Sequence, residues 1–164
     1  MRGFWDDCHQ IEIIAGRIYQ RFAVNRSYAK EVREVFQRLS LDESAHARHL
    51  EQLRQTDLAE LDLVTRISRE KVRDTRRLAE QLFFLVERGG QDEAQALDMA
   101  IQIEQEFIKV HVQNAFHFYN RNLAEVFARL RTDDQDHIDR LNDCLRWWQR
   151  QRRERNKAQS DSPG

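Results

Sequence analysis

Along this chain apolar residues recur in alternating steps of three and four, the period of a helix that buries one face. Trp5, Cys8, Glu12, Ala15, Tyr19 and Phe22 form the first such stripe. Val32, Phe36, Leu39, Glu43, His46, Leu50 and Leu53 form the second, and Leu97, Ile101, Glu104, Ile108, His111, Ala115 and Phe118 the third. Leu123, Phe127, Leu130, Asp134, His137, Leu141, Cys144 and Trp148 form the fourth. The spacing predicts helices near residues 4–24, 28–55, 92–118 and 122–150. Carboxylates and imidazoles lie inside the stripes, where a helix bundle keeps apolar side chains.

The stripes also repeat. Glu34 to Leu39 reads EVFQRL and Glu125 to Leu130 reads EVFARL, an offset of 91 residues. Carried forward, the offset aligns Glu43 with Asp134, His46 with His137 and Leu50 with Leu141. Carried backward with one residue of slip, it aligns Glu12 with Glu104 and Tyr19 with His111. The chain reads as a duplicated helical hairpin. NRS at 25–27 and NRN at 120–122 supply the turns, since asparagine tolerates the left-handed conformation many helix ends need. The stretch 56–91 is too long for a plain loop and contains LFFLV; it predicts a crossover with its own helix, ended by Gly89 and Gly90. The expected architecture is all-α: a four-helix bundle of two hairpins joined by a long helical crossover. It would span residues 1–150, followed by a basic and then disordered tail at 151–164.

Composition narrows the picture. The 164 residues are 34% charged and 40% hydrophobic, with five Gly and one Pro, a helical balance. The opening MRGFWDDCHQIE develops no signal-peptide apolar stretch, and no run approaches the roughly 20 apolar residues of a membrane span. A soluble, cytoplasmic protein with no integral membrane segment is expected. Cys8 and Cys144 form no CxxC, so no disulfide framework, zinc ribbon or rubredoxin-like iron site is encoded here. Both fall on apolar stripes and read as buried thiols. The net charge is −1, with six basic residues and one acid between Arg146 and Lys157. No broad basic face for nucleic acid emerges.

An ionised carboxylate buried without a partner costs several kcal/mol or more. Four in one apolar seam require a cation, and a metal ion is the natural one. The hairpins pass a geometric test. Glu12 and Glu43 are equidistant from the NRS turn, and Glu104 and Asp134 from the NRN turn, so each pair lies level. Carboxylate and imidazole at i, i+3 share a helix face. Four carboxylates and two histidines exceed one tetrahedral zinc but suit two ions, each with one His, sharing two carboxylates. So oxygen-rich a set favours iron or manganese over copper. Asp6 with His9 repeats the spacing once more but has no repeat partner. The alternative is a set of buried ion pairs and hydrogen-bonded histidines.

On these residues the sequence resembles the ferritin-like superfamily, in particular its rubrerythrin-like and bacterioferritin-like diiron proteins. The resemblance covers about residues 1–150. It implies that Glu12 and Glu104 are terminal ligands, that Glu43 and Asp134 bridge, and that His46 and His137 bind one iron each. It implies two iron ions, with manganese or zinc as alternatives, ferrous iron and oxygen or peroxide as reactants, and ferroxidase or peroxidase chemistry. A non-catalytic metal-binding or storage protein is the alternative. Asp134 stands where the family has Glu, one methylene longer, and Asp133 is an alternative ligand. Phe107 replaces a further Glu of rubrerythrin. Without a rubredoxin-like domain, electrons must come from an unidentified donor. Ser44 stands where bacterioferritin has a haem-binding Met, so no haem is expected by that route.

Tyr19 and His111 lie two turns, about 10 Å, beyond Glu12 and Glu104. They read either as hydrogen-bonding or proton-transfer partners of the ligands or as a satisfied core pair. His49 and His117 read as solvated or partly buried helix residues rather than ligands. Trp148 fits the core, which leaves Trp147 as the candidate for a homodimer contact.

Overall fold

The computed structural model describes residues 2–55, 66–117 and 121–160; the side chains of 2, 53–55, 66–68, 112–117, 121–124 and 159–160 are left aside. Five helices follow in order: α1 (Arg2–Ala23), α2 (Lys30–Gln55), α3 (Arg66–Arg88), α4 (Glu93–His117) and α5 (Arg121–Ser160). No strand occurs among the described residues. The hairpins α1–α2 and α4–α5 have the most extensive internal packing. They meet mainly through α2 and α5, while α3 lies against α1 and α4. No helix among the described residues is long and apolar enough to cross a membrane.

Local chemistry explains the boundaries. Asp92 and Gln95 exchange hydrogen bonds, Gln95 N to Asp92 Oδ1 at 2.8 Å and Asp92 N to Gln95 Oε1 at 2.9 Å. This reciprocal box satisfies two donors at the start of α4. Gly89 and Gly90 stop α3 with φ of 70° and 96°, angles that side-chain-bearing residues resist. The first turn differs in mechanism from expectation. No non-glycine residue described has positive φ; Asn25 instead accepts from Ser27 N at 3.1 Å and from Ser27 Oγ at 2.8 Å. Its side chain imitates a backbone turn. Asn120 of the second turn, and residues 56–65 of the crossover, lie outside the described residues.

The expected crossover helix is α3. It buries Val72, Ala79, Leu82 and Val86 and leaves Phe84 and Leu85 exposed. α5 departs from expectation at its end: the basic run continues as helix to Ser160. The chain there contains no Gly or Pro to stop it. Trp147 and Trp148 are both half-buried, and Trp148 Nε1 donates to Glu93 Oε2 at 2.5 Å. Glu93 also accepts from Ala29 N, so one carboxylate ties together the starts of α2 and α4 and the flank of α5.

The core is aromatic around a polar middle. Trp5, Tyr19, Phe36, Phe107 and Phe127 are all at most 1% exposed. Each such ring contributes roughly 2 to 3 kcal/mol through burial. On α4 the buried face includes Ala100, Ile103, Phe107 and Val110, while Ile101 and Ile108 of the predicted stripe are half-buried. A helix packed on both α5 and α3 needs a broader apolar face than one seam.

Candidate metal centre

Each helix of the two hairpins delivers two polar side chains to the buried middle. α1 supplies Glu12 and Tyr19, α2 Glu43 and His46, α4 Glu104 and His111, α5 Asp134 and His137. All eight are at most 4% exposed. Gly16 permits close contact of α1 with α2 at this level. A Cβ there would lie 3.3 Å from Glu43 Cβ, and Ser40 Oγ donates to Gly16 O at 2.9 Å.

Six of the eight residues were the expected ligands, and five fall into two trios. Glu12, Glu43 and His46 form one; Glu43, Glu104 and His137 form the other; in each, the candidate ligand atoms lie within 4.8 Å of one another. His46 Nδ1 is 3.2 Å from Glu43 Oε2 and 3.6 Å from Glu12 Oε2. His137 Nδ1 is 3.1 Å from Glu43 Oε1 and 3.4 Å from Glu104 Oε2. Glu43 thus turns one oxygen toward each imidazole, and the two rings stack with centroids 5.7 Å apart. Asp134 belongs to neither trio. Its Oδ2 lies 2.5 Å from His111 Nδ1, while Oδ1 has no hydrogen-bond partner among the described residues.

Tyr19 and His111 reach across the bundle. Tyr19 Oη donates to Glu104 Oε1 at 2.6 Å, and His111 Nε2 lies 3.3 Å from Glu12 Oε1. Each therefore contacts the acid of the other hairpin instead of the one two turns away on its own helix. Burial, then the charges of Glu104 and Glu43, raise the Tyr19 hydroxyl well above its usual range, so it stays a donor.

The electrostatics show the strain of four acids in one place. Burial, then Glu104 and Glu12, push Glu43 up to about 8. Burial also raises Asp134, to about 6, against the opposing pull of His111. Burial acts on Glu12 as well, but Glu43, His111 and His46 together hold its carboxyl well below the usual range. Burial opposes charging of the imidazoles, yet the neighbouring acids win. His46 is pushed up to about 12, His137 to about 11 and His111 to about 10. Protonated imidazoles thus balance the carboxylates when no metal does.

That balance is incomplete. Glu12 Oε1 and Oε2, Glu43 Oε1 and Asp134 Oδ1 are buried without a directed hydrogen bond among the described residues. Leaving such an atom unpaired costs about 1 to 3 kcal/mol. Cations held by the oxygens and the two Nδ1 atoms would satisfy all of them, so the donor set fits a dimetal site.

The outer nitrogens of the two histidines also have partners. His46 Nε2 is 3.3 Å from Asp133 Oδ2, and His137 Nε2 is 3.4 Å from Asp42 Oδ2. Asp133 therefore sits on the far side of the His46 ring from the trio. Sequence reasoning passed over Asp42, which lies off the apolar stripe. The repeat carried the signal, because Asp42 and Asp133 are 91 residues apart, like the histidines. His49 is exposed as expected, while the His117 side chain lies outside the described residues. Cys8 and Cys144 are buried free thiols.

The rubrerythrin family model matches residues 7–145. That span contains all eight polar residues of the buried middle and both outer acids. No curated protein and no solved structure matches the chain.

Proposed function

Because this chain belongs to the rubrerythrin family, we propose that its two trios bind a pair of iron ions and that the loaded protein reacts with dioxygen or peroxide. The sharing of Glu43 between two buried trios carries this reading. Glu12 with His46 serves one position, Glu104 with His137 the other, and Glu43 serves both. Asp134 offers its unpaired Oδ1, because its other oxygen is engaged by His111. Bound iron supplies the electron transfers that reduce oxygen or peroxide.

The chain's own residues prepare the pocket. Phe36 stacks beside Tyr19 at 6.1 Å, and Phe107 and Phe127 flank His111 at 6.3 and 5.8 Å. These rings exclude water from the acids and strengthen every charge interaction inside. The Tyr19 hydroxyl donates to Glu104 Oε1, and the His111 ring stands between Glu12 and Asp134. Reduction of peroxide to water consumes two protons and two electrons; Tyr19 and His111 are placed to pass protons toward ligand oxygens. The electrons come from an unidentified donor.

Protein purified without added metal tests the proposal. About two iron atoms per chain are expected, as for other carboxylate dimetal bundles, with consumption of peroxide or oxidation of added ferrous iron. A loaded protein that does neither would leave a storage or binding role. A chain that takes up no metal would end the reading.

A further inference from the structure

The outer face of α5 carries a second stripe, opposite the one that builds the core. Asp136, Asp139, Asp143, Arg146, Arg150 and Arg153 recur in steps of three and four, and all six are exposed. Such steps keep side chains on one face of a helix, here over about 26 Å. The first three are acids and the last three are arginines. Their spacing is also symmetric. Asp143 and Arg146, Asp139 and Arg150, and Asp136 and Arg153 are each equidistant from the level of the Cys144–Leu145 peptide. The helix dipole does not explain this order, because it acts within the first and last turns and Asp136 lies about four turns into α5. Bonds within the chain do not use the stripe up. Arg146 turns back to Asp143, and Gln135 Nε2 donates to Asp139 Oδ1 at 3.1 Å. Asp136, Arg150 and Arg153 have no ion pair among the described residues.

We propose that this face docks on the same face of a second copy of the chain, the two α5 helices running antiparallel about a two-fold axis level with the Cys144–Leu145 peptide. In such a pair, residues equidistant from the axis lie level, and every contact occurs twice. Asp136 of either copy meets Arg153 of the other, Asp139 meets Arg150, and Asp143 meets Arg146. A parallel pair in register would set acid on acid and arginine on arginine, which is repulsive throughout. The charge order therefore complements itself in the antiparallel sense. Asp143 also lines a groove of about 560 Å³ along the edge of this face, together with Val35, Cys144 and the half-buried Trp147. The contact thus has an apolar border. Exposed ion pairs are individually weak and are screened by salt, so the dimer is of modest affinity and salt-sensitive. The face lies on the far side of α5 from the two trios, and the pairing needs no metal.

Sedimentation of the full chain over a range of concentrations tests the pairing. Wild-type protein should be dimeric at low salt, and raising salt from about 0.05 M to about 0.5 M should weaken association about tenfold or more. Asp139→Arg sets a cation opposite Arg150 at both contacts, and Arg150→Asp sets an acid opposite Asp139 at both. Each variant alone should be monomeric at concentrations where wild type is dimeric. Mixed together, the two variants regain both contacts and should form a heterodimer. A chain carrying both changes should form a homodimer again. Asp136→Arg and Arg153→Asp repeat the test nearer the ends of the stripe. All four positions are exposed, so circular dichroism should show wild-type helix content in every variant. A wild-type chain that stays monomeric overturns the proposal; its retention on polyglutamate through Arg150 and Arg153 would then assign the basic half to an acidic partner. A dimer that survives both single reversals lies on another face and overturns it as well. Loss of the dimer in both single variants without recovery on mixing overturns the antiparallel register.

Discussion

Tyr19 on α1 donates its hydroxyl to Glu104 on α4 at 2.6 Å, although the two lie 85 positions apart in sequence. Tyr19→Phe would keep the ring's packing on Phe36 and remove only the donor. Metal-free protein should lose about 1 to 3 kcal/mol of stability, the cost of an unpaired buried acceptor. Metal bound at Glu104 would reduce that loss. Denaturant unfolding with and without metal measures both; equal losses in the two states would place Glu104 away from the ion.

Glu43 and Asp134 should not respond alike. Glu43→Ala removes a donor from both trios, so both ions should be lost while helix content stays within a few per cent of wild type. Asp134→Asn removes a charge from a residue already engaged by His111 and should retain more metal than Glu43→Ala. Metal counting after desalting, with circular dichroism as control, compares them. Retention of both ions by Glu43→Ala would contradict its shared position.

Gly16→Ala tests how closely α1 must approach α2. Alanine favours a helix by up to about 1 kcal/mol over glycine. The new methyl would sit 3.3 Å from Glu43 Cβ, which is fixed to a helix backbone. A shift of a few tenths of an ångström should displace Glu43 relative to His46. Metal affinity is expected to fall severalfold with little change in the melting temperature of metal-free protein. Competition against a chromophoric chelator reads the affinity.

The cysteines give a pH-dependent prediction. Burial, then Glu93 and Glu31, push Cys144 up to about 11, and burial with Glu12 and Asp7 raises Cys8 well above its usual value. Both should react slowly with a thiol reagent at pH 8 and rapidly in denaturant. For Cys144 the raised value favours the folded protein below pH 9, where both states hold the proton. That contribution fades as pH rises from about 9 through about 11. Labelling rates and alkaline unfolding curves for wild type and Cys144→Ala measure the two effects.

The apolar stripes carried the four bundle helices, because a period near 3.6 is a direct record of which face is buried. Gly89 and Gly90 carried the end of α3 for an equally local reason. Pairing across the bundle was less legible. Tyr19 and His111 sit two turns along from their own helix's acids, and only the packed arrangement shows that they reach the opposite hairpin. The sequence displays the short side chain of Asp134 without saying that it will rest against His111. Asp42 escaped because a search along the buried stripe passes over half-exposed residues, and Asp133, expected as an alternative ligand, instead meets the outer nitrogen of His46. The continuation of α5 to Ser160 was obscured by its charge, which resembles a tail although the residues are good helix formers.

Glu43 comes from the first half of the duplicated chain, but Glu104 and His137, its companions in the second trio, come from the other half. The two halves consequently share that rivet. Drawing the hairpins apart would dismantle that trio even if every helix stayed intact, and filling it would fasten one hairpin to the other.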